Sequence, residues 1–134
     1  MYIHNFFVID QLPSGRDFDG RFPFERTTTG DLRDLAEARG NHFPPLNVLD
    51  GAPRVRTERK GCGGSAADDN IHGENRKTAA GLTVTANHPP SNTVFWYART
   101  VVSPEAYIDI CADRGQPMAW KIVNDFYLQQ PVNK

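Results

Sequence analysis

The sequence has 134 residues, of which 39% are hydrophobic and 23% charged, and its formal net charge is −1. Such a length suits one domain with a single core, and the composition excludes disordered and fibrous proteins. The near-zero charge provides no basic field of the kind that nucleic-acid-binding proteins carry. No apolar run approaches the roughly 20 residues of a membrane span, and the first residues do not resemble a signal peptide. We therefore expect a soluble protein of the reducing cytoplasm, with Cys62 and Cys111 as free thiols.

The first half of the chain alternates clear signals with irregular stretches. Residues 2–10 are rich in β-branched and aromatic side chains and predict a first strand. Phe18, Phe22 and Phe24 are expected to anchor a loop, since glycine and proline interrupt any strand ladder there. Residues 28–39 predict a short helix, because apolar residues recur at helical spacing after a threonine that can cap the first turn.

The middle of the chain predicts two short strands and a long loop. The strands are expected at 46–49 and 54–59, and the second carries polar residues on both faces, which is typical of an edge strand or a protruding ribbon. Residues 61–80 lack any periodicity and predict a long irregular loop.

The second half predicts a strand at 82–86 and a central strand at 93–102. Ser103, Pro104 and Glu105 have the order of an N-cap, a first-turn proline and a first-turn acid, so a helix is predicted from Pro104 to about Gly115. The apolar residues in 118–129 fit the period of a helix and also that of a strand. Their β-branched and aromatic content favours a strand or a hairpin over a helix.

The order of these elements lacks the regular alternation of a doubly wound sheet. We therefore predict a single α+β domain over residues 1–134, with an antiparallel or mixed β-sheet and two short helices. Four residues on the apolar faces of the best-defined elements are expected in its core: Leu35, Val94, Trp96 and Ile110.

A basic ribbon is the first candidate binding feature. Its cations are Arg54, Arg56, Arg59 and Lys60, and glycines follow directly. Alternating cations beside accessible backbone N–H groups could contact phosphates or carboxylates. The alternative is a solvated strand edge whose charges prevent aggregation.

The candidate catalytic residues are His4, His72, Glu74 and Cys62. His72 and Glu74 have the His-x-Glu spacing of zinc deaminases, but the Pro-Cys-x-x-Cys element that completes such a metal site is absent. Cys62 and His72 could form a nucleophile–base pair, and an ordinary loop cysteine is the alternative. His4 could orient a nucleotide or a sugar, and a hydrogen-bonded strand histidine is the alternative. The four histidines show no ligand spacing, so we predict no metal and no cofactor.

The aromatic run 95–97 and Trp120 allow two interpretations, a stacking or protein-binding surface and ordinary core packing, and the flanking valines favour the core.

With no recognisable catalytic set, the leading functional hypothesis is a small non-enzymatic interaction protein that binds and modulates another macromolecule. Accessory and inhibitor proteins of phages and mobile elements are of this kind. The alternative is a small enzyme or sensor that acts on a nucleotide or nucleic acid through ribbon 54–60 and the His72/Glu74 loop. A protein partner is expected first, a nucleic acid or nucleotide second, and a membrane not at all. Convergence of Arg54, Arg56, His72 and Glu74 with His4 on one concave pocket would favour the enzyme, and their spread along a convex face would favour the binding protein.

Overall fold

A computed structural model describes residues 1–13, 15–23, 27–29, 35–49, 54–60, 64–111 and 113–129, without the side chains of 27–29, 54–55 and 57–60. Within these ranges the chain forms ten β-strands and one short 3₁₀ turn, Ala66–Asp68. The strands are β1 (Phe7–Val8), β2 (Phe18–Arg21), β3 (Thr27–Thr29), β4 (His42–Phe43), β5 (Arg54–Lys60), β6 (Asn70–Asn75), β7 (Ala80–Ala86), β8 (Asn92–Ala98), β9 (Val101–Tyr107) and β10 (Ile122–Leu128).

The strands form two five-stranded sheets. Sheet A has the order β1-β9-β8-β5-β3, and sheet B has the order β10-β7-β6-β2-β4. Neighbouring strands are antiparallel throughout both sheets. The sheets pack face to face, and the contact between β2 and β8 shows how closely. A Cβ added at Gly20 of β2 would lie 2.8 Å from the hydroxyl oxygen of Tyr97 on β8. The architecture is an antiparallel β-sandwich.

The core lies between the two sheets and is aromatic at its centre. On β8, Phe95 and Tyr97 are fully buried, whereas Trp96 between them lies on the outer face, as the two-residue period of a strand requires. The hydroxyl of Tyr97 donates to the carbonyl oxygen of Phe43 at 2.8 Å and so links the sheets. The other large core side chains come from both sheets and from the connections: Phe7, Phe18, Phe22, Leu49, Ile71, Leu82, Val84 and Val102.

The predicted α+β fold class is wrong, because this part of the chain is almost entirely β. The expected helix 104–115 begins inside β9, where Ser103 pairs with Trp96 and Glu105 pairs with Val94. The chain turns at Arg99, whose φ is 51°, so residues 101–107 return along β8 as a seven-residue ladder. That ladder outweighs a local N-cap, which contributes only about 1 kcal/mol.

The expected helix 28–39 is also wrong over its described residues. Thr27–Thr29 forms β3, and Ala36 and Arg39 form isolated bridges with Pro45 and His42. Residues 30–34 lie outside the described part of the chain. The threonines that could cap a helix are equally suited to a strand, since they are β-branched.

Several strand predictions are confirmed with altered bounds. The strand at 82–86 is part of β7, the strand at 54–59 is β5, and 118–129 contains β10 as one strand without a hairpin. The central strand predicted at 93–102 is β8, but it ends at Ala98. The strand at 2–10 is reduced to β1 and a bridge at Tyr2, because Pro104 of the neighbouring strand has no N–H to donate.

Other placements are wrong. β5 is no edge strand, because β8 and β3 flank it. The expected loop 61–80 contains β6 in the middle of sheet B, the expected anchor loop contains β2, and 46–49 forms no strand. Of the predicted core residues, Val94 is buried, Leu35 and Trp96 are half-buried, and Ile110 is 46% exposed. No helix among the described residues is long and apolar enough to cross a membrane. The extent of the domain over residues 1–134 stays a prediction.

Candidate functional site

The N-terminal segment lies along the open side of β9 on sheet A. The Tyr2–Tyr107 bridge has the same register as β1 on β9. That register places His4 opposite Glu105, and the His4 Nδ1 lies 3.2 Å from the Glu105 Oε1. The first residue is also held, because the amino group of Met1 donates to a backbone carbonyl oxygen at 2.6 Å.

Glu105 is a buried carboxylate on the outer face of sheet A. It is only 2% exposed, and the hydroxyl of Ser103 donates to its Oε1 at 3.1 Å. Burial raises the pKa of Glu105, and the neighbouring His4, Ser103 and Arg56 partly oppose that rise. Since the carboxylate cannot move freely, it holds the His4 ring, whose side chain is 35% exposed, in one orientation.

Aromatic rings surround this pair and form a continuous surface. We call it the aromatic patch, and its members are Tyr2, His4, Phe6, Trp96 and Tyr107 together with Arg56. Tyr2 stacks on Tyr107 with 4.3 Å between ring centroids, and the rings of His4 and Phe6 are 4.4 Å apart. The remaining ring, Trp96, lies 6.0 Å from His4.

Arg56 adds a cation to the aromatic patch. Its guanidinium carbon lies 5.6 Å from the centroid of the Trp96 ring, within the range of a cation–π contact. The indole N–H of Trp96 is buried and has no hydrogen-bond partner among the described residues. Tyr2 and Phe6 are 44% and 56% exposed, so the apolar rings of this surface are accessible.

A second group of side chains lies on the outer face of sheet B. A Cβ at Gly73 would face Val102 of sheet A, so the residues on either side of it, His72 and Glu74, point away from the core. The Nδ1 of His72 lies 3.1 Å from the hydroxyl oxygen of Thr83. Burial and the charge of Arg21 lower the pKa of His72, against the opposing effect of Glu74.

The carboxylates of this polar face are already engaged. Tyr127 and Gln129 donate to the Oε2 of Glu74 at 3.1 and 2.9 Å. Burial and the bond to Glu74 raise the pKa of Tyr127 to about 12, so its hydroxyl stays a donor at neutral pH. His42 Nδ1 lies 2.5 Å from Asp19 Oδ2. In the part of the chain that the structure describes, no group of three potential ligands could hold a metal ion.

The structure separates the residues that the sequence put forward. His4 and Arg56 lie on the outer face of sheet A, and His72 and Glu74 lie on the outer face of sheet B, so these four do not share a pocket. Cys62 lies outside the described residues.

Of the cations of the basic ribbon, only Arg56 has a described side chain, and it belongs to the aromatic patch. Arg54, Arg59 and Lys60 contribute their backbone to β5.

Sequence reasoning named His4, Arg56 and Trp96 as members of separate features and missed Tyr2, Phe6 and Tyr107. Tyr2, His4 and Phe6 alternate along the first residues, and this two-residue period would have identified one exposed aromatic face. The sequence did not identify Glu105 as part of this surface, because the residue was interpreted as an acid in the first turn of a predicted helix.

Comparison with known proteins found no match: no family model, no curated protein and no solved structure is significantly similar to this chain.

Proposed function

We propose that this chain is a protein-binding module, and that the aromatic patch is its contact surface. The observation that carries the proposal is the continuous surface of Tyr2, His4, Phe6 and Trp96 with Arg56 over the indole ring. Tyrosine, tryptophan and arginine are the residue types that dominate binding energy at protein interfaces. Their rings also lose little conformational entropy on binding, since few torsion angles must be fixed.

The patch is built to bind without rearrangement. Glu105 is buried against Ser103 and His4, and the Tyr2–Tyr107 stack is continuous with them. A surface that is already rigid has a lower ordering cost on association.

The chemistry of the patch also indicates the chemistry of the partner. The exposed faces of Tyr2 and Phe6 suit an aliphatic or aromatic side chain that becomes buried on binding. Arg56 is exposed, and the cation beside these rings suits a carboxylate of the partner. The partner is therefore a protein surface with an apolar anchor next to an acidic residue. Modulation of that partner, as an accessory or inhibitor protein would achieve, is part of the proposal.

The test is capture of proteins from the native host on three immobilised versions of the chain. The patch variant is Phe6→Ser with Arg56→Glu. The matched control is Leu128→Ser with Arg114→Glu, which combines a comparable apolar-to-serine change with the same charge reversal at exposed positions outside the patch. We expect at least one protein that the wild type and the control retain and the patch variant loses.

The captured protein is then purified and titrated with the three versions. Loss of two interface hot spots should weaken binding on the order of 1,000-fold, because each such residue contributes about 2 kcal/mol. The activity of the captured protein, measured with and without this chain, tests whether the chain modulates it. Equal retention by the patch variant and the control contradicts the proposal, as does capture that nuclease treatment of the lysate abolishes.

A further inference from the structure

A cleft of about 470 Å³ opens beside the start of β2 and the end of β6, away from the aromatic patch. Its apolar lining comes from Leu12, Pro13, Phe18 and Val48, and its cations are Arg16 and Lys77. The volume lies within the range of small-molecule sites, roughly 300–1,000 Å³.

Hydrogen bonds hold one wall of the cleft in place. The carboxylate of Asp10 accepts from Asn75 Nδ2 at 2.5 Å, from the hydroxyl of Thr78 at 2.6 Å and from the backbone N–H of Leu12 at 3.1 Å. Asn75 is 2% exposed and its Oδ1 accepts from the backbone N–H of Lys77. The segment that carries Leu12 is thus tied to the turn between β6 and β7, and the cleft is formed before any ligand binds.

The charges of the lining favour an anion. Arg16 and Lys77 form no ion pair with another described residue, and Asp17 is the single carboxylate of the lining. The Nε of Arg16 donates to the carbonyl oxygen of Leu46 at 2.6 Å, which orients the guanidinium, and its terminal nitrogens donate to no other residue that the structure describes.

The apolar side of the cleft is left uncovered. Leu12 is 40% and Val48 is 61% exposed, although both are large aliphatic residues. A ligand that covered them would remove apolar surface from water, which is favourable in proportion to the area buried.

We propose that this cleft binds a small amphipathic anion, with a carboxylate or phosphate group at Arg16 and Lys77 and an aryl or alkyl group against Leu12 and Val48. The site is independent of the aromatic patch. The two ends of the ligand contribute separately, so neither a free inorganic anion nor a neutral aromatic compound binds as tightly as a compound that carries both groups.

The experiment is a titration of the ¹⁵N-labelled full chain with four probes, followed by amide chemical shifts. The probes are phenyl phosphate, phenylacetate, inorganic phosphate and benzyl alcohol. We expect the two aromatic anions to shift amides around 12–18, 47–48 and 75–77, with dissociation constants at least about tenfold lower than those of the other two probes. The tighter of the two aromatic anions identifies the head group.

Two variants and a matched control complete the design. Lys77→Gln should weaken binding of the better probe by up to about fivefold, as the loss of one exposed charge predicts. Val48→Glu should abolish it, because a carboxylate then replaces the apolar wall. Lys121→Gln, at an exposed lysine outside the cleft, should leave it unchanged. Equal affinity for phenyl phosphate and inorganic phosphate, or an unchanged Lys77→Gln variant, overturns the proposal.

Discussion

Gly81 of β7 leaves the space in which a tyrosine of the neighbouring strand lies. Tyr127 of β10 pairs directly with Gly81, and its ring lies across the glycine to reach Glu74 on the strand beyond. A Cβ at Gly81 would overlap the Cζ and hydroxyl of Tyr127 and would lie 2.6 Å from its Cε2. Gly81→Ala must therefore displace the ring and break the bond from Tyr127 to Glu74.

Two opposing contributions determine the cost of Gly81→Ala. A hydrogen bond to a charged group contributes about 1.5–3 kcal/mol, and the partial exposure of this one favours the lower end. The alanine lowers the conformational entropy of the unfolded chain and so stabilises the folded state by about 0.4–1 kcal/mol. The net loss should be about 1 kcal/mol, or roughly 3–5 °C in Tm for a chain of this size.

A double-mutant cycle measured by urea unfolding tests this reasoning. In a Tyr127→Ala background the ring is absent, so Gly81→Ala should stabilise the protein by about 0.4–1 kcal/mol. The change of sign corresponds to a coupling energy of about 1.5–2 kcal/mol between the two positions. Destabilisation of the same size in both backgrounds would refute the steric explanation.

Two further predictions concern the core and the buried carboxylate. Gly20→Ala should cost about 1–3 kcal/mol or more by urea unfolding, because its Cβ would lie 2.8 Å from the Tyr97 hydroxyl oxygen and 3.0 Å from Phe95 Cζ, both buried. Gly64→Ala, whose Cβ would have no atom of the described residues within 4 Å, is its control, and an equal effect of both would contradict the close packing. Burial raises the pKa of Glu105, so the native state binds its proton more tightly and the wild type loses stability as pH rises above the usual glutamate pKa of about 4.3. Glu105→Gln removes that loss, so its stability relative to wild type should increase between pH 4 and 7.5; a difference independent of pH would show that the raised pKa is wrong.

The strands that the sequence predicted well are those in which composition and period agree. Residues 93–98 and 122–128 are rich in β-branched and aromatic side chains, and both form strands. The predicted helices failed where a short capping signal competed with pairing. Ser103, Pro104 and Glu105 match a helix start, but they are paired with β8 along their length. A capping motif of three residues carries no information about strand pairing with residues on the other side of a turn.

β6 was missed for a different physical reason. Its sequence, Asn70–Asn75, contains a single large apolar residue, Ile71, where a half-buried strand normally has two or three. The inward position that follows is Gly73, whose Cβ position lies within 3.7 Å of Val102 and Ile9 of the opposite layer, an ordinary packing distance. Since glycine contributes no apolar side chain there, the sequence lacks the alternation by which the strand could have been recognised.

The candidate binding surface was predictable in part. Arg56 and His4 were both identified from the sequence, but as members of different sites. They lie on one face because the register of β5, β8 and β9 places Arg56 opposite Trp96, and Trp96 opposite Ser103. This register depends on the turn at Arg99, which the sequence analysis placed inside a continuous strand.

The separation of the two outer faces restricts what any activity of this chain could use. Packed sheets lie about 10 Å apart, so the core stands between the aromatic patch and the polar face. One small ligand therefore does not contact Arg56 and His72 together, because these two side chains lie on opposite outer faces. Acid–base chemistry at His72 would depend instead on its own neighbours, Arg21 and Glu74. Substitutions in the aromatic patch should consequently leave the ionisation of His72 unchanged, and an NMR titration of its ring in the Phe6→Ser, Arg56→Glu variant would detect any coupling between the two faces.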